Sequence, residues 1–179
     1  MSNVKQIFTK LSYHDQNTYN RILYWLEDIF HNCDNELQRV KEIAQMIREG
    51  IGKISPFIQQ CTEIVCPACK NICCSNKHGY YNREDLVYIH AVGLKPPEFE
   101  FGRKDSDPCQ FLSVKGCTLE RSVRPSGCNW YFCESLLDYM EKRPDYQEFD
   151  DSLSDVATLW MELMREITKI LQTFHYRWV

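Results

Sequence analysis

The distribution of cysteine constrains this chain more than any other feature of its sequence. Nine of the ten cysteines lie between residues 61 and 135. Eight of these form a series of candidate metal ligands: Cys66, Cys69, Cys73, Cys74, Cys109, Cys117, Cys128 and Cys133. Cys66 and Cys69 have the spacing of a metal-binding knuckle, in which a tight turn directs two sulfurs at one ion. The series predicts that the middle of the chain folds around metal held by thiolates.

The adjacent pair Cys73 and Cys74 bears on the number of metal sites. Neighbouring side chains project in different directions, so both thiols would bind one small ion only under strain. The eight thiols therefore predict either two sites or one polynuclear cluster. Knuckles serve zinc and iron alike. The adjacent pair and the irregular later spacings favour an iron–sulfur cluster, and zinc stays open as the alternative cofactor.

The cysteine segment resembles the YkgJ family, bacterial and archaeal cysteine-cluster proteins described as a zinc- or iron-chelating domain. The similarity rests on C-x2-C-x3-C-C at 66–74, C-x-F-L at 109–112, Cys117, and R-P-x-x-C-x4-C at 124–133. Many members carry arginine after the cysteine that follows Arg-Pro, where this chain has Asn129. The resemblance implies metal binding and, through the related flagellin lysine methylase, an iron–sulfur cluster in at least one branch. It implies no methylation by this chain.

Cations in the same segment could offset the negative charge of metal-bound thiolates. The candidates are Arg103, Lys115, Arg121 and Arg124. Arg124 is singled out because Pro125 fixes its backbone close to Cys128. For each of these four cations, the alternative is that it is an ordinary surface residue. His78 is either an additional ligand or a loop histidine. Cys33 and Cys61 lie outside the series and are expected to be buried as small apolar side chains.

Helical periodicity dominates both ends of the chain. Residues 1–60 predict a helical hairpin, with Asp34 or Asn35 capping the second helix and Gly50 and Gly52 ending it. In the middle region, Asn82 is expected to cap a short helix that runs to about Ala91.

The last part of the chain predicts two more helices. A short one is expected from near Asn129 to Lys142, stopped by Pro144. A long one is expected from about Leu153 to Tyr176, and Ser152 with Asp155 resembles a capping box at its start. Its broad apolar stripe is typical of a helix packed on the protein's own core, and the alternative is a homodimer interface.

These observations predict a single domain over residues 1–179, mainly α, with an irregular, metal-organised centre at 61–135 and C-terminal helices at 136–179.

The net charge of −4 gives no reason to expect nucleic acid or anionic membrane as a partner. The start of the chain does not read as a secretory signal, which favours the cytoplasm, where thiols stay reduced. Two functions stay open: a redox or catalytic iron–sulfur protein, and a zinc-stabilised module that binds an unidentified protein or small molecule. Whether the chain is an enzyme is not decided.

Overall fold

Six α-helices account for most of the described chain. The computed structural model describes residues 15–33, 35–69 and 72–177, and only the backbone of residues 174–177. The helices are α1 (Gln16–Asn32), α2 (Gln38–Val65), α3 (Arg83–Ala91), α4 (Gly127–Trp130), α5 (Glu134–Met140) and α6 (Tyr146–Arg177). No helix in this described part of the chain has the length and apolarity needed to cross a membrane.

The long helices α2 and α6 pack against each other and form the frame of the molecule. Phe57 stacks on Phe149 with ring centroids 4.3 Å apart, and Arg39 pairs with Glu162 at 2.7 Å. Residue numbers rise along one helix as they fall along the other, so the two helices are antiparallel. The contact buries the apolar stripe that the sequence predicts for each. A mainly α fold with a long C-terminal helix is therefore confirmed.

Helix α2 continues through Gly50 and Gly52, so the predicted break at these residues is wrong. A Cβ added at Gly50 would lie 2.5 Å from Cγ2 of Val156. Gly50 therefore marks the close approach of α2 to α6. Ile47 and Ile51 on either side of it are buried. Their packing outweighs the cost of about 1 kcal/mol for a glycine inside a helix.

Helices α1 and α2 follow one another as predicted, but each packs mainly on another helix. Helix α1 packs on α3, whereas α2 packs on α6. The residue before α2 is Leu37, which makes no capping hydrogen bond through its side chain. The predicted cap at Asn35 is therefore wrong, and the alternative at Asp34 lies outside the described residues.

Helix α3 has the bounds that the sequence predicts. The side chain of Asn82 accepts a hydrogen bond from the Asp85 backbone N–H at 2.8 Å. The Asp85 carboxylate in turn accepts from the Asn82 backbone N–H, also at 2.8 Å. This capping box fixes the start of the helix. Gly93, with φ of 72°, follows its end.

The C-terminal helices differ from the prediction at their boundaries. The short helix expected from Asn129 to Lys142 is divided into α4 and α5 by extended backbone at Tyr131 and at Cys133, the N-cap of α5. Helix α6 begins at Tyr146 rather than Leu153, so the capping box expected at residues 152–155 is wrong because those residues lie inside the helix. Burial of Phe149 against α2 favours the earlier start.

Between α2 and α5 the chain has little regular structure apart from α3 and the single turn of α4. It contains short 3₁₀ turns at Cys66–Ala68, Asn76–His78 and Arg121–Val123. A two-stranded antiparallel hairpin pairs β1 (Leu112–Ser113) with β2 (Gly116–Cys117). Hydrogen bonds between loops therefore carry much of the structure of this segment.

Candidate metal centre

A cavity of about 330 Å³ lies in the cysteine-rich segment. Its walls include six of the eight candidate ligands: Cys66, Cys73, Cys74, Cys109, Cys117 and Cys128. The other two, Cys69 and Cys133, interact with the thiol of Cys66. The structure thus brings residues far apart in the sequence to one place.

The first thiol group consists of Cys66, Cys69, Cys73 and Cys133. Helix α2 ends in the 3₁₀ turn that contains Cys66, and the backbone N–H of Cys69 donates to the Cys66 carbonyl at 3.1 Å. Cys133 precedes α5, and this helix packs on α2. The Cys73 thiol interacts electrostatically with Cys74 and with Cys133.

Burial and mutual repulsion both disfavour the thiolate forms of Cys66 and Cys73. Burial, followed by the charges of Cys73, Cys133 and Cys69, raises the pKa of the Cys66 thiol. Burial is also the main reason that the pKa of Cys73 rises to about 11, with Cys74 and Cys133 adding to it. A bound cation would reverse this effect, because a coordinating thiol loses its proton.

The second thiol group consists of Cys74, Cys109, Cys117 and Cys128. The backbone N–H of Cys109 donates to the Cys74 carbonyl at 2.9 Å. Cys117 lies opposite Leu112 in the hairpin, and the Leu112 N–H donates to the Cys109 carbonyl at 2.9 Å. The Sγ of Cys128 lies 3.9 Å from the carbonyl oxygen of His78. Four separate segments of the chain therefore converge at this group.

Cys128 is a half-buried thiol of the second group. Its pKa is raised to about 12, mainly by burial and also by the neighbouring charges of Cys117 and Cys109. The guanidinium of Arg124 opposes it. Burial likewise raises the pKa of Cys74, with smaller contributions from Cys66, Cys109 and Cys117.

Gly79 allows the second group to pack closely. A Cβ added at this residue would lie 2.9 Å from the Sγ of Cys109 and 3.3 Å from the carbonyl oxygen of Asn76. The φ of Gly79 is −86°, which any residue can adopt. Glycine is therefore needed here for space and not for backbone conformation.

Arg121 is a buried cation beside the second group. Its residue is 6% exposed, and its Nη1 donates to the Cys128 carbonyl at 3.3 Å. Its Nε has no hydrogen-bond partner within the described residues. The pKa of Arg121 is lowered to about 10, mainly by burial and also by the charge of Arg124, whereas the charges of Cys128 and Cys117 oppose the change.

The other candidate cations differ in what they contact. Arg124, which the sequence singles out, is half-buried, and its Nε donates to the Leu119 carbonyl at 2.9 Å. Arg103 donates to the Pro108 carbonyl at 2.9 Å. Burial raises the pKa of Cys109, and the charge of Arg103 opposes that change. Lys115 is exposed. The structure therefore buries Arg121 most deeply.

The structure also shows the surroundings of His78, Cys33 and Cys61. His78 lines the cavity and stacks on Tyr131 with ring centroids 5.3 Å apart. Burial lowers the pKa of this histidine. Cys33 and Cys61 are 6% and 0% exposed and lie in the two apolar clusters. Their predicted burial is confirmed.

The thiols are near one another without forming a coordination sphere. Among the described residues, no set of three or more cysteine, histidine or acidic side chains is arranged to hold a metal ion. Coordination would require the thiols to rotate toward a common centre and to lose their protons. The donor set nevertheless suits a thiophilic metal, because soft sulfur ligands favour zinc and iron–sulfur clusters. The unpartnered Nε of buried Arg121 also suits an anionic centre at this place.

Sequence reasoning does not assign Asp85 and Gly79 to the site. Asp85 lines the cavity, and its carboxylate accepts from the Ser126 backbone N–H at 2.9 Å. The pattern Asn82-x-x-Asp85 predicts a helix cap but gives no signal that the cap adjoins thiols. The close contact at Gly79 likewise depends on the distant loop that carries Cys109.

Comparison of the chain with protein-family models, with curated proteins and with solved structures finds no match. The resemblance to the YkgJ family stays a prediction from the cysteine pattern.

Proposed function

We propose that this protein binds metal through its cysteine thiolates and is an iron–sulfur protein with a redox or catalytic role. One observation carries the proposal. Cysteines from six separate positions line the same cavity, and Cys69 and Cys133 interact with one of them. A protein that used these residues only as small apolar side chains would have no reason to collect them around a cavity.

The size of the cavity favours a cluster over a single closed zinc site. Structural zinc is enclosed by four ligands and leaves no open space. Here a volume of about 330 Å³ lies among the thiols and is also lined by His78, Tyr131 and Arg121. This space is of the kind that small-molecule sites require.

An iron–sulfur centre bound here would supply electron transfer or an iron able to bind a substrate. The protein's own residues would tune that chemistry. Arg121 and Arg124 place positive charge beside the second thiol group. Thr62, Phe132 and Leu136 also line the cavity, and the apolar members of that wall would limit the access of water. A reducing compartment such as the cytoplasm would keep the thiols competent to bind metal.

The second candidate is a zinc-binding module without catalytic activity. The scarcity of regular structure between Cys66 and Cys133 favours it. In such a segment the free energy of metal binding is also free energy of folding. The metal would then shape a surface for a protein or small-molecule partner.

Metal analysis of protein expressed and purified without oxygen distinguishes the two functions. We expect a brown protein that contains iron and acid-labile sulfide, with an electron paramagnetic resonance signal after reduction. Zinc without iron or sulfide would support the second function. Absence of both metals would contradict the whole proposal. Oxygen must be excluded because thiolate sites that lose iron accept zinc.

Cys69→Ser should lose metal. The matched control for this variant is Cys61→Ala. Cys61 is buried on α2 and lies close to the first group in sequence, but it does not line the cavity. This variant should retain the metal content of the wild type. Equal metal loss in Cys61→Ala and in Cys69→Ser would show that loss reflects damage to the fold.

A further inference from the structure

One edge of the Arg121 guanidinium is used by no described residue. Both of its hydrogen bonds within the described residues come from Nη1, which donates to the Cys128 carbonyl at 3.3 Å and to Oδ1 of Asn129 at 3.5 Å. Its buried Nε has no partner among these residues. The side chain lines the cavity, and the residue is 6% exposed. The edge formed by Nε and Nη2, which carries two parallel N–H donors, is therefore open to a ligand.

A second buried donor beside Arg121 also lacks a partner. Asn129 is 0% exposed, and its Nδ2 makes no hydrogen bond within the described part of the chain. Its Oδ1 is already the acceptor for Nη1 of Arg121. The unsatisfied atoms at this place are both N–H donors, and an unpaired buried donor is costly. What the site lacks is an acceptor.

The wall of the cavity carries more positive than negative charge. Lys77, Arg121 and Arg124 line it, whereas Asp85 is the one acidic residue among the described lining residues. The two oxygens of Asp85 each accept a hydrogen bond from a backbone N–H, at 2.8 and 2.9 Å. This carboxylate is therefore occupied by the backbone, and no ion pair joins it to Arg121 in the described structure.

The rest of the wall favours an organic ligand with a single charged group. Large apolar side chains line the same cavity, namely Ile58, Leu112, Phe132 and Leu136. Its volume of about 330 Å³ is of the size that holds small organic molecules. The two oxygens of a carboxylate match the two parallel donors of one guanidinium edge. A phosphate group brings more charge and a third acceptor oxygen, which this edge cannot satisfy.

We propose that the cavity binds a small organic carboxylate, whose oxygens accept from Nε and Nη2 of Arg121 while its apolar body lies against the apolar wall. The inference names the class of small molecule for the redox or catalytic role and rests on that proposed function for its chemistry. A thiolate-bound metal would offset part of the charge of Arg121. Sulfur is, however, a weaker hydrogen-bond acceptor than a carboxylate oxygen, so the carboxylate satisfies the open edge better.

Binding of hexanoate by the wild-type protein is the first test. Full-length protein purified without oxygen is dialysed to equilibrium against radiolabelled hexanoate at constant ionic strength, and its metal content is measured on the same sample. We expect saturation at about one hexanoate per chain, as one cavity requires. Hexanamide has a similar apolar body without the charge, and it should compete about 10-fold or more less effectively than unlabelled hexanoate. Inorganic phosphate should also compete poorly.

Substitution of Arg121 tests the role of this residue. Arg121→Gln should weaken hexanoate binding by about 10-fold or more. Arg121→Lys keeps the charge without the paired donors, so it should also weaken binding, and it covers the case in which the glutamine variant does not fold. The matched control is Arg103→Gln, which removes an arginine of the same segment that does not line the cavity. This variant should keep the wild-type affinity.

Several results would overturn the inference. Folded wild-type protein without saturable hexanoate binding would refute it outright. Equal competition by hexanamide would show that the charge is not recognised, and equal competition by phosphate would contradict the carboxylate class. Wild-type affinity in folded Arg121→Gln would remove this residue from the site. Protein that binds hexanoate but contains no metal would refute only the proposed function, so the two failures are distinguishable.

Discussion

The α2–α6 frame and the segment from Cys66 to Cys133 are stabilised in different ways. The frame is held by apolar side chains, and its interior residues Val40, Ile43 and Leu163 are fully buried. The segment is held by short turns, hydrogen bonds between loops and thiols that repel one another when ionised. The frame therefore needs no ligand to fold, whereas the segment contains an arrangement that a bound cation would stabilise.

A cavity in the frame should produce the largest loss of stability. Leu163 on α6 is 0% exposed, and Leu163→Ala should lower the free energy of unfolding by about 2–5 kcal/mol. Urea denaturation followed by circular dichroism measures the change. Below the transition, metal content per chain should equal that of the wild type, because the substitution does not touch the thiols.

The control for this prediction is on the same helix. Met161 is 68% exposed, and Met161→Ala should change stability by no more than about 0.5 kcal/mol. Equal effects of the two substitutions, or metal loss in folded Leu163→Ala, would contradict the independence of frame and segment.

The frame was more accessible to sequence reasoning than the segment. Apolar periodicity predicts α1, α2 and α6, because burying one face of a helix leaves a regular pattern in the sequence. Local rules also place the cap of α3 at Asn82. They fail at Gly50, where the space left by a missing side chain is filled by Val156 of a distant helix. Helix propensity is a local property and cannot predict a contact with a distant helix.

The sequence predicts which cysteines form the candidate site but not how they are arranged in space. Spacing identifies the eight cysteines, but the cavity that six of them line depends on loops far away in sequence. Arg121 shows the same limit. The sequence favours Arg124 because of the following proline, whereas the structure buries Arg121 among the cavity walls.

Asp85 lies within the segment, where it joins the start of α3 to Ser126, and should give stability a distinctive pH dependence. Burial raises the pKa of this carboxyl from 3.8 to about 6. The folded protein therefore binds the proton more tightly than the unfolded chain. The resulting stabilisation is complete below pH 3.8 and is lost as the pH rises through about 6. The difference between the two pKa values corresponds to about 3 kcal/mol.

Comparison with Asp85→Asn isolates this contribution. The free energy of unfolding is measured between pH 4 and 7 for both proteins. The wild-type free energy minus that of the variant should fall as the pH rises. Acid-driven loss of metal affects both proteins and cancels in the difference. The exposed Asp138→Asn should leave the wild-type profile unchanged. A pH-independent difference between the wild type and Asp85→Asn would contradict the assignment.

Gly79→Ala should have the smallest effect on stability and a selective effect on the segment. The added Cβ would lie 2.9 Å from the Sγ of Cys109, and crowding of this kind costs about 1–3 kcal/mol. The displaced thiol should weaken the second group, so we expect partial loss of metal with the frame intact, measured by metal analysis and far-ultraviolet circular dichroism.

Gly127→Ala provides the control, since a Cβ there has no neighbour within 4 Å although Gly127 precedes Cys128. This variant should keep its metal and its stability. The comparison also separates two explanations of the glycine at residue 79. If the space is needed for ligand geometry, Gly79→Ala should lose metal as Cys128→Ser does. If it is needed only for packing, stability should fall while the metal content is unchanged, and Gly79 would then belong to the structural support of the loops and not to the metal centre.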